Sequence, residues 1–142
     1  MSLSLALVLV IAHFVGDFIC QSDWMALNKS TRWDALAMHV GAYTLVLGLA
    51  VAFSQCDFER GSGVDWFVCV NAAAHFVQDA ITSRINARLW FFQPTNCGGR
   101  GPAPEPHFVA RGGNRHWFFV GIGADQLLHY ITLFVTASWW VR

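Results

Sequence analysis

Histidine and aspartate stand four residues apart at three places in the chain: His13 and Asp17 in HFVGD, His75 and Asp79 in HFVQD, and, in reversed order, Asp125 and His129 in DQLLH. Residues at i and i+4 share one face of a helix, so each pair points a single way. His39, in LAMHV, adds a fourth imidazole. All seven groups fall within or at the ends of apolar segments. Imidazole and carboxylate ligate Zn, Mn, Fe or Ni and need no thiolate. Four neutral His and three Asp carry a charge of minus three, which two divalent ions and one hydroxide would neutralise. The same groups could instead relay protons or ions, through alternating charge states. They could also be plain helix glue, with hydrogen bonds worth about 0.6 kcal/mol each.

The cost of burial decides between these. Each Asp at the centre of a membrane helix costs about 2.5–3.5 kcal/mol. Three unpaired carboxylates would therefore lose roughly 7–10 kcal/mol, comparable with the stability of a whole domain. They must be paired, protonated or bound to a cation, and they must face a bundle interior. Glue explains one such pair easily and three at one depth poorly. A divalent metal, Zn or Mn first, as one or two ions, is the favoured occupant.

The elements that must position these groups are helices. Of the 142 residues, 55% are hydrophobic and 13% charged, against about 25% charged in soluble domains. Seven Trp and twelve Phe are present, residues that gather at membrane interfaces. The expectation is an all-α integral membrane protein, a single domain over residues 1–142. Its four transmembrane helices run at about 3–20, 34–53, 64–90 and 117–141. No Lys or Arg precedes the first, so it lacks the basic region of a secretory signal and is expected to stay in the mature protein. The Gly- and Pro-rich stretch 92–115 argues against regular structure and reads as a flexible cytoplasmic loop or a flap over the site. The net charge is zero, so nothing suggests nucleic acid. Cys20, Cys56, Cys69 and Cys97 form no CxxC and read as buried small hydrophobes or inert thiols.

Basic residues set the orientation. Lys29, Arg32, Arg84, Arg88, Arg100, Arg111 and Arg115 lie in or beside the first and third connections, which places these in the cytoplasm of a bacterial inner membrane and both termini outside. His13, Asp17, His75 and Asp79 then lie in the cytoplasmic halves of the first and third helices, and His39 near the start of the second. Asp125 lies about 12 Å in from Trp117 at ~1.5 Å per residue. All seven can meet in one layer. Because HFVGD opens one half and HFVQD the other, and each is followed by a helix bearing a further histidine, the halves read as two parallel helix-pair repeats.

The stretches HFVGDFICQSDWMALNKS, NAAAHFVQDAITSRINARLW and HWFFVGIGADQLLHYITL, with a histidine in the second helix, resemble the small bacterial and phage integral membrane family of domain of unknown function 3307 (DUF3307). The resemblance covers nearly the whole chain and supplies no reaction. It lies on His13, Asp17, Gln21, Lys29, His39, His75, Asp79, Asp125, Gln126 and His129. The pattern is also similar, more loosely, to small membrane-bound metal-dependent hydrolases.

Around the seven candidate ligands, Gln21 and Asn71 extend the two stripes by one i±4 step, and Gln126 adjoins Asp125. Each is placed either as a hydrogen-bond partner of the ligands or, for Gln21 and Asn71, as an interface or helix-packing residue. Asp34 reads as a helix cap. Lys29, Arg84 and Arg88 could hold an anionic head group or be ordinary cytoplasmic-side charge. Gly16, Gly41, Gly48, Gly121 and Gly123 would let helices approach. The leading expectation is a metal-dependent hydrolase acting on a membrane lipid or lipid-linked substrate, with Asp17, Asp79 or Asp125, whichever lies outside the metal's ligands, as general base. The alternatives are a cation or proton transporter and a non-catalytic assembly or interaction protein. A chain this small could form a homo-oligomer.

Overall fold

A computed structural model describes residues 2–54, 62–89, 92–94, 108–110 and 115–140. Most of the second connection and much of the third, with Arg60, Arg100, Arg111, Cys56 and Cys97, lie outside the described residues. Helix α1 (Leu3–Phe14) runs directly into a π-helical turn at Val15–Ile19. Helices α2 (Asp23–Asn28), α3 (Trp33–Phe53), α4 (Ser62–Leu89) and α5 (Arg115–Trp140) follow. Within the stretch expected to be irregular, β1 (Phe92–Pro94) pairs with β2 (Phe108–Ala110) as a short antiparallel ribbon, Phe92 opposite Ala110, and most of the rest of that stretch lies outside the described residues. The all-α expectation holds for everything that shapes the bundle.

Local chemistry explains the helix ends. The hydroxyl of Ser2 accepts from the Leu5 amide at 3.2 Å and opens α1. Ser22 does the same for α2, accepting from the Met25 amide at 3.3 Å; this is the ordinary cap role of serine. Helix α2 was not expected, because six residues leave too short a stretch for periodicity to show. Asp34 does not cap α3: Arg32 holds that position, and Asp34 sits in the first turn, accepting from the Ala35 amide at 3.0 Å and pairing with Arg32 at 2.6 Å. That pair is exposed and contributes at most about 1 kcal/mol.

The long helices close a ring in the order α1, α3, α4, α5, with α1 packed on α3 and α5, and α4 on the same two. One end of the interior is an apolar plug of Leu5, Leu9, Ala12, Tyr43, Leu47, Val51, Phe67, Leu133 and Ala137. The other end is polar. Buried there are His13, Asp17, His39, His75, Asp79 and His129, none more than 4% exposed. The outward faces reverse the soluble pattern, with Leu7, Ile11, Leu45, Leu49, Ile81, Leu127 and Ile131 exposed.

Two helices, α3 and the His116–Trp139 part of α5, are long and apolar enough to cross a membrane. Helix α1 with its π turn spans only Leu3–Ile19, shorter than the ~20 residues a bilayer core requires. Helix α4 has the length, but Asp65, Asp79, Arg84 and Arg88 interrupt it. Two of the four expected spans thus meet the criterion. Gly16 serves the close approach expected of it, since a Cβ there would lie 3.1 Å from Tyr43 Cα of α3. Gly41 and Gly123 face open space. Cys20 and Cys69 are free and exposed rather than buried.

Candidate metal centre

The π turn is the local feature that builds the site. It carries Asp17 and packs against α3. Its i→i+5 bond runs from the Cys20 amide to the Val15 carbonyl at 2.8 Å. Such turns widen a helix and re-aim side chains, and they occur often at functional sites. With Gly16 admitting the α3 backbone, Asp17 reaches across to His39: Oδ1 lies 3.0 Å from His39 Nε2 and 3.3 Å from His75 Nε2. From α4, Asp79 Oδ2 lies 3.0 Å from His39 Nε2 and 3.9 Å from His75 Nε2. The two imidazole Nε2 atoms are 3.3 Å apart.

These distances test whether an ion fits. A tetrahedral ion with ligands at about 2.0–2.1 Å sets its ligand atoms about 3.3–3.4 Å from one another. The five separations among Asp17 Oδ1, His39 Nε2, His75 Nε2 and Asp79 Oδ2 are 3.0, 3.3, 3.0, 3.9 and 3.3 Å. All four residues are buried, and their ligand atoms lie within 4.8 Å of each other. Asp17 Oδ1, although close to two imidazoles, aligns for a hydrogen bond with neither. A buried carboxylate oxygen left unbonded among converging ligand atoms is placed to meet a cation at their shared centre. The residues present fit a divalent cation.

A second group adjoins the first. His129 Nε2 is 3.5 Å from Asp79 Oδ1, and Asp79, Asp125 and His129 also converge within 4.8 Å. His13, expected among the ligands, takes a different place. Its Nε2 is 3.0 Å from Gln126 Oε1 and 3.9 Å from Asp17 Oδ2, while Gln126 Nε2 donates to Asp17 Oδ2 at 2.7 Å. His13 and Gln126 therefore steady Asp17 rather than join the four converging atoms.

Lys29 is the residue whose place the sequence conceals. The turn after α2 folds it back so that Nζ donates to Asp79 Oδ2 at 2.9 Å and lies 3.3 Å from His39 Nε2. It joins the cluster and also lines the adjoining cavity. Arg84 instead lies over the Trp33 ring, 4.2 Å from its centroid, and Arg88 is exposed at the end of α4. Asn71 pairs with Thr136, donating at 2.9 Å and accepting at 3.2 Å, and so joins α4 to α5 within the apolar end. Gln21 lines the cavity beside the cluster, its Oε1 buried without a partner. Tyr43 stacks on His75 at 3.9 Å between centroids. Its place four residues after His39 was the signal for it.

A cavity of about 360 Å³ opens onto this polar end, within the range of small-ligand sites. Asp17, Asp79, Asp125, Lys29 and Gln126 reach it, together with apolar groups such as Leu27, Phe118 and Ile122. His39, His75 and His129 lie behind these. The cluster is thus closed by the apolar plug at one end and reached past carboxylates and an ammonium at the other. No curated protein and no solved structure matches the chain. The family described as protein of unknown function (DUF3307) matches residues 5–142, and the chain belongs to that family.

Proposed function

We propose that the protein is a membrane-embedded, metal-dependent hydrolase whose ion is held by Asp17, His39, His75 and Asp79. The observation that carries this is the convergence of two buried carboxylates and two imidazoles from three different elements at the spacing of a single ion's ligands. Charge supports it as well. Three aspartates and the ammonium of Lys29 sum to minus two when the histidines are neutral, which one divalent ion balances. The exposed apolar faces of the helices and the exposed Trp24, Trp33, Trp66, Trp117 and Trp139 near their ends suit a bilayer. The cavity would face the cytoplasmic leaflet, on the side of the basic residues. We also read the two halves as parallel repeats, supported by HFVGD and HFVQD each preceding a long helix that bears a further histidine.

A divalent ion so held would polarise an ester or phosphoryl oxygen and bring the pKa of a bound water toward 7. The chain's own groups supply the rest. Lys29, at the cavity, would meet an anionic oxygen of the substrate. Asp125, 12% exposed and beside the cluster, would take the proton of the attacking water. The apolar lining at Leu27, Phe118 and Ile122 suits the chain of a lipid or lipid-linked substrate. To test this, metal-loaded and chelated protein would be incubated with total bacterial polar lipids in vesicles and the lipids analysed by mass spectrometry. A chelator-sensitive cleavage product lost in Asp79→Asn is expected. Identical lipid profiles in all samples would contradict the hydrolase and leave metal binding to be judged by metal analysis.

A further inference from the structure

His129 lies outside the first group of ligands, yet it is 3% exposed and its Nε2 has no hydrogen-bond partner. Its Nδ1 is 2.8 Å from the Asp125 carbonyl oxygen. A carbonyl can only accept, so Nδ1 carries the proton and, in the neutral imidazole, Nε2 presents a lone pair. That fixes the tautomer in the way a metal-ligating histidine requires. The lone pair faces Asp79 Oδ1 at 3.5 Å, an arrangement of two acceptors that a divalent cation between them makes favourable. Asp125 supplies a third ligand from one turn away, and its Oδ1 is likewise buried without a partner. Asp79 faces the first group through Oδ2 and this one through Oδ1.

From this we propose that Asp79, Asp125 and His129 form a second divalent-cation site, bridged to the first through the Asp79 carboxylate. It rests on the reading of the first site as a metal centre. Paired ions with a shared carboxylate stand about 3.5–4 Å apart in two-metal hydrolytic sites. The second site has three protein ligands where the first has four. The first ion already neutralises the cluster with Lys29, so the second enters with no net negative charge left to attract it. It therefore fills last and more weakly, at the end that Asp79 and Asp125 expose to the cavity. One Asp125 oxygen on that ion leaves the other free for a proton.

The test is a Mn²⁺ titration of purified protein, with free Mn²⁺ followed by electron paramagnetic resonance. The wild type should take up two equivalents, the second at least tenfold more weakly, with the bound signal broadened by coupling as the second ion enters. Asp125→Asn and, separately, His129→Gln should keep the first equivalent and lose the second. Saturation of the wild type at one equivalent would overturn the second site while leaving the first. Uptake of no ion would overturn both. Two full equivalents in either folded variant, or loss of both ions together, would also overturn it. If both variants fail to fold, the wild-type spectrum decides: two equivalents without coupling contradict the shared carboxylate.

Discussion

Replacing Gln126 with Leu isolates the support of the centre from its ligands. Gln126 touches no atom of the four converging groups except through Asp17, whose Oδ2 it binds at 2.7 Å, and it accepts from His13 at 3.0 Å. Leucine keeps most of the volume and removes both bonds, together with a longer one donated to Asp125 Oδ2 at 3.4 Å. Hydrogen bonds to charged groups contribute about 1.5–3 kcal/mol. Loss of a bond that orients a metal ligand weakens metal affinity about 10–100-fold, or about 1.4–2.7 kcal/mol. The two ranges overlap, and a tenfold to hundredfold loss of affinity for Zn²⁺ or Mn²⁺ is expected, measured by competition with a chromophoric chelator in detergent. Gln78→Leu is the control. Gln78 also joins α4 to α5, donating to Thr132 Oγ1 at 2.8 Å, but it touches none of the ligands. Its replacement should leave affinity unchanged. If Gln126→Leu binds metal within threefold of wild type while remaining helical, Asp17 is not a ligand that depends on this support.

Three further substitutions probe separate parts of the account. Lys29→Met removes an ammonium 2.9 Å from Asp79 Oδ2 and should tighten the first metal, because a cation no longer competes for that oxygen; weaker binding in the same chelator assay would show that Lys29 organises the site instead. Asn71→Leu, which breaks the pairing with Thr136, should lower the thermal midpoint in micelles and leave metal stoichiometry intact; loss of metal without loss of stability would return Asn71 to the ligands' surroundings. Leu45→Lys places a charge on an exposed apolar face midway along α3, where insertion is disfavoured by about 2.5–3.5 kcal/mol; undiminished integration in a glycosylation-mapping assay would contradict α3 as a span.

What was legible in the sequence came from local rules. The i, i+4 spacing of His13 with Asp17 and His75 with Asp79, inside segments too apolar to carry charge outward, required an interior layer. The structure brings His39, His75, Asp17 and Asp79 together, with His129 and Asp125 beside them. What was not legible depends on path and partner. Nothing local says that the turn after α2 returns Lys29 to Asp79, or that Arg84 spends its charge on the Trp33 ring. The π turn was hidden because its hydrogen-bond shift leaves apolar periodicity nearly unchanged over five residues. The same motif also plays two parts at its variable position: Gly16 of HFVGD admits Tyr43, whereas Gln78 of HFVQD binds Thr132 on α5. Sequence identity of the flanking residues could not distinguish these.

The most direct measurement is the metal content of the purified protein, per chain, by inductively coupled plasma mass spectrometry, before and after reconstitution with Zn²⁺ or Mn²⁺. At least one tightly held divalent ion per chain is expected in the wild type, falling below a tenth of that in a folded Asp17→Asn, His39→Gln double variant. Wild-type protein that holds no stoichiometric metal in either state, or a double variant that holds as much as the wild type, would contradict the account at its centre.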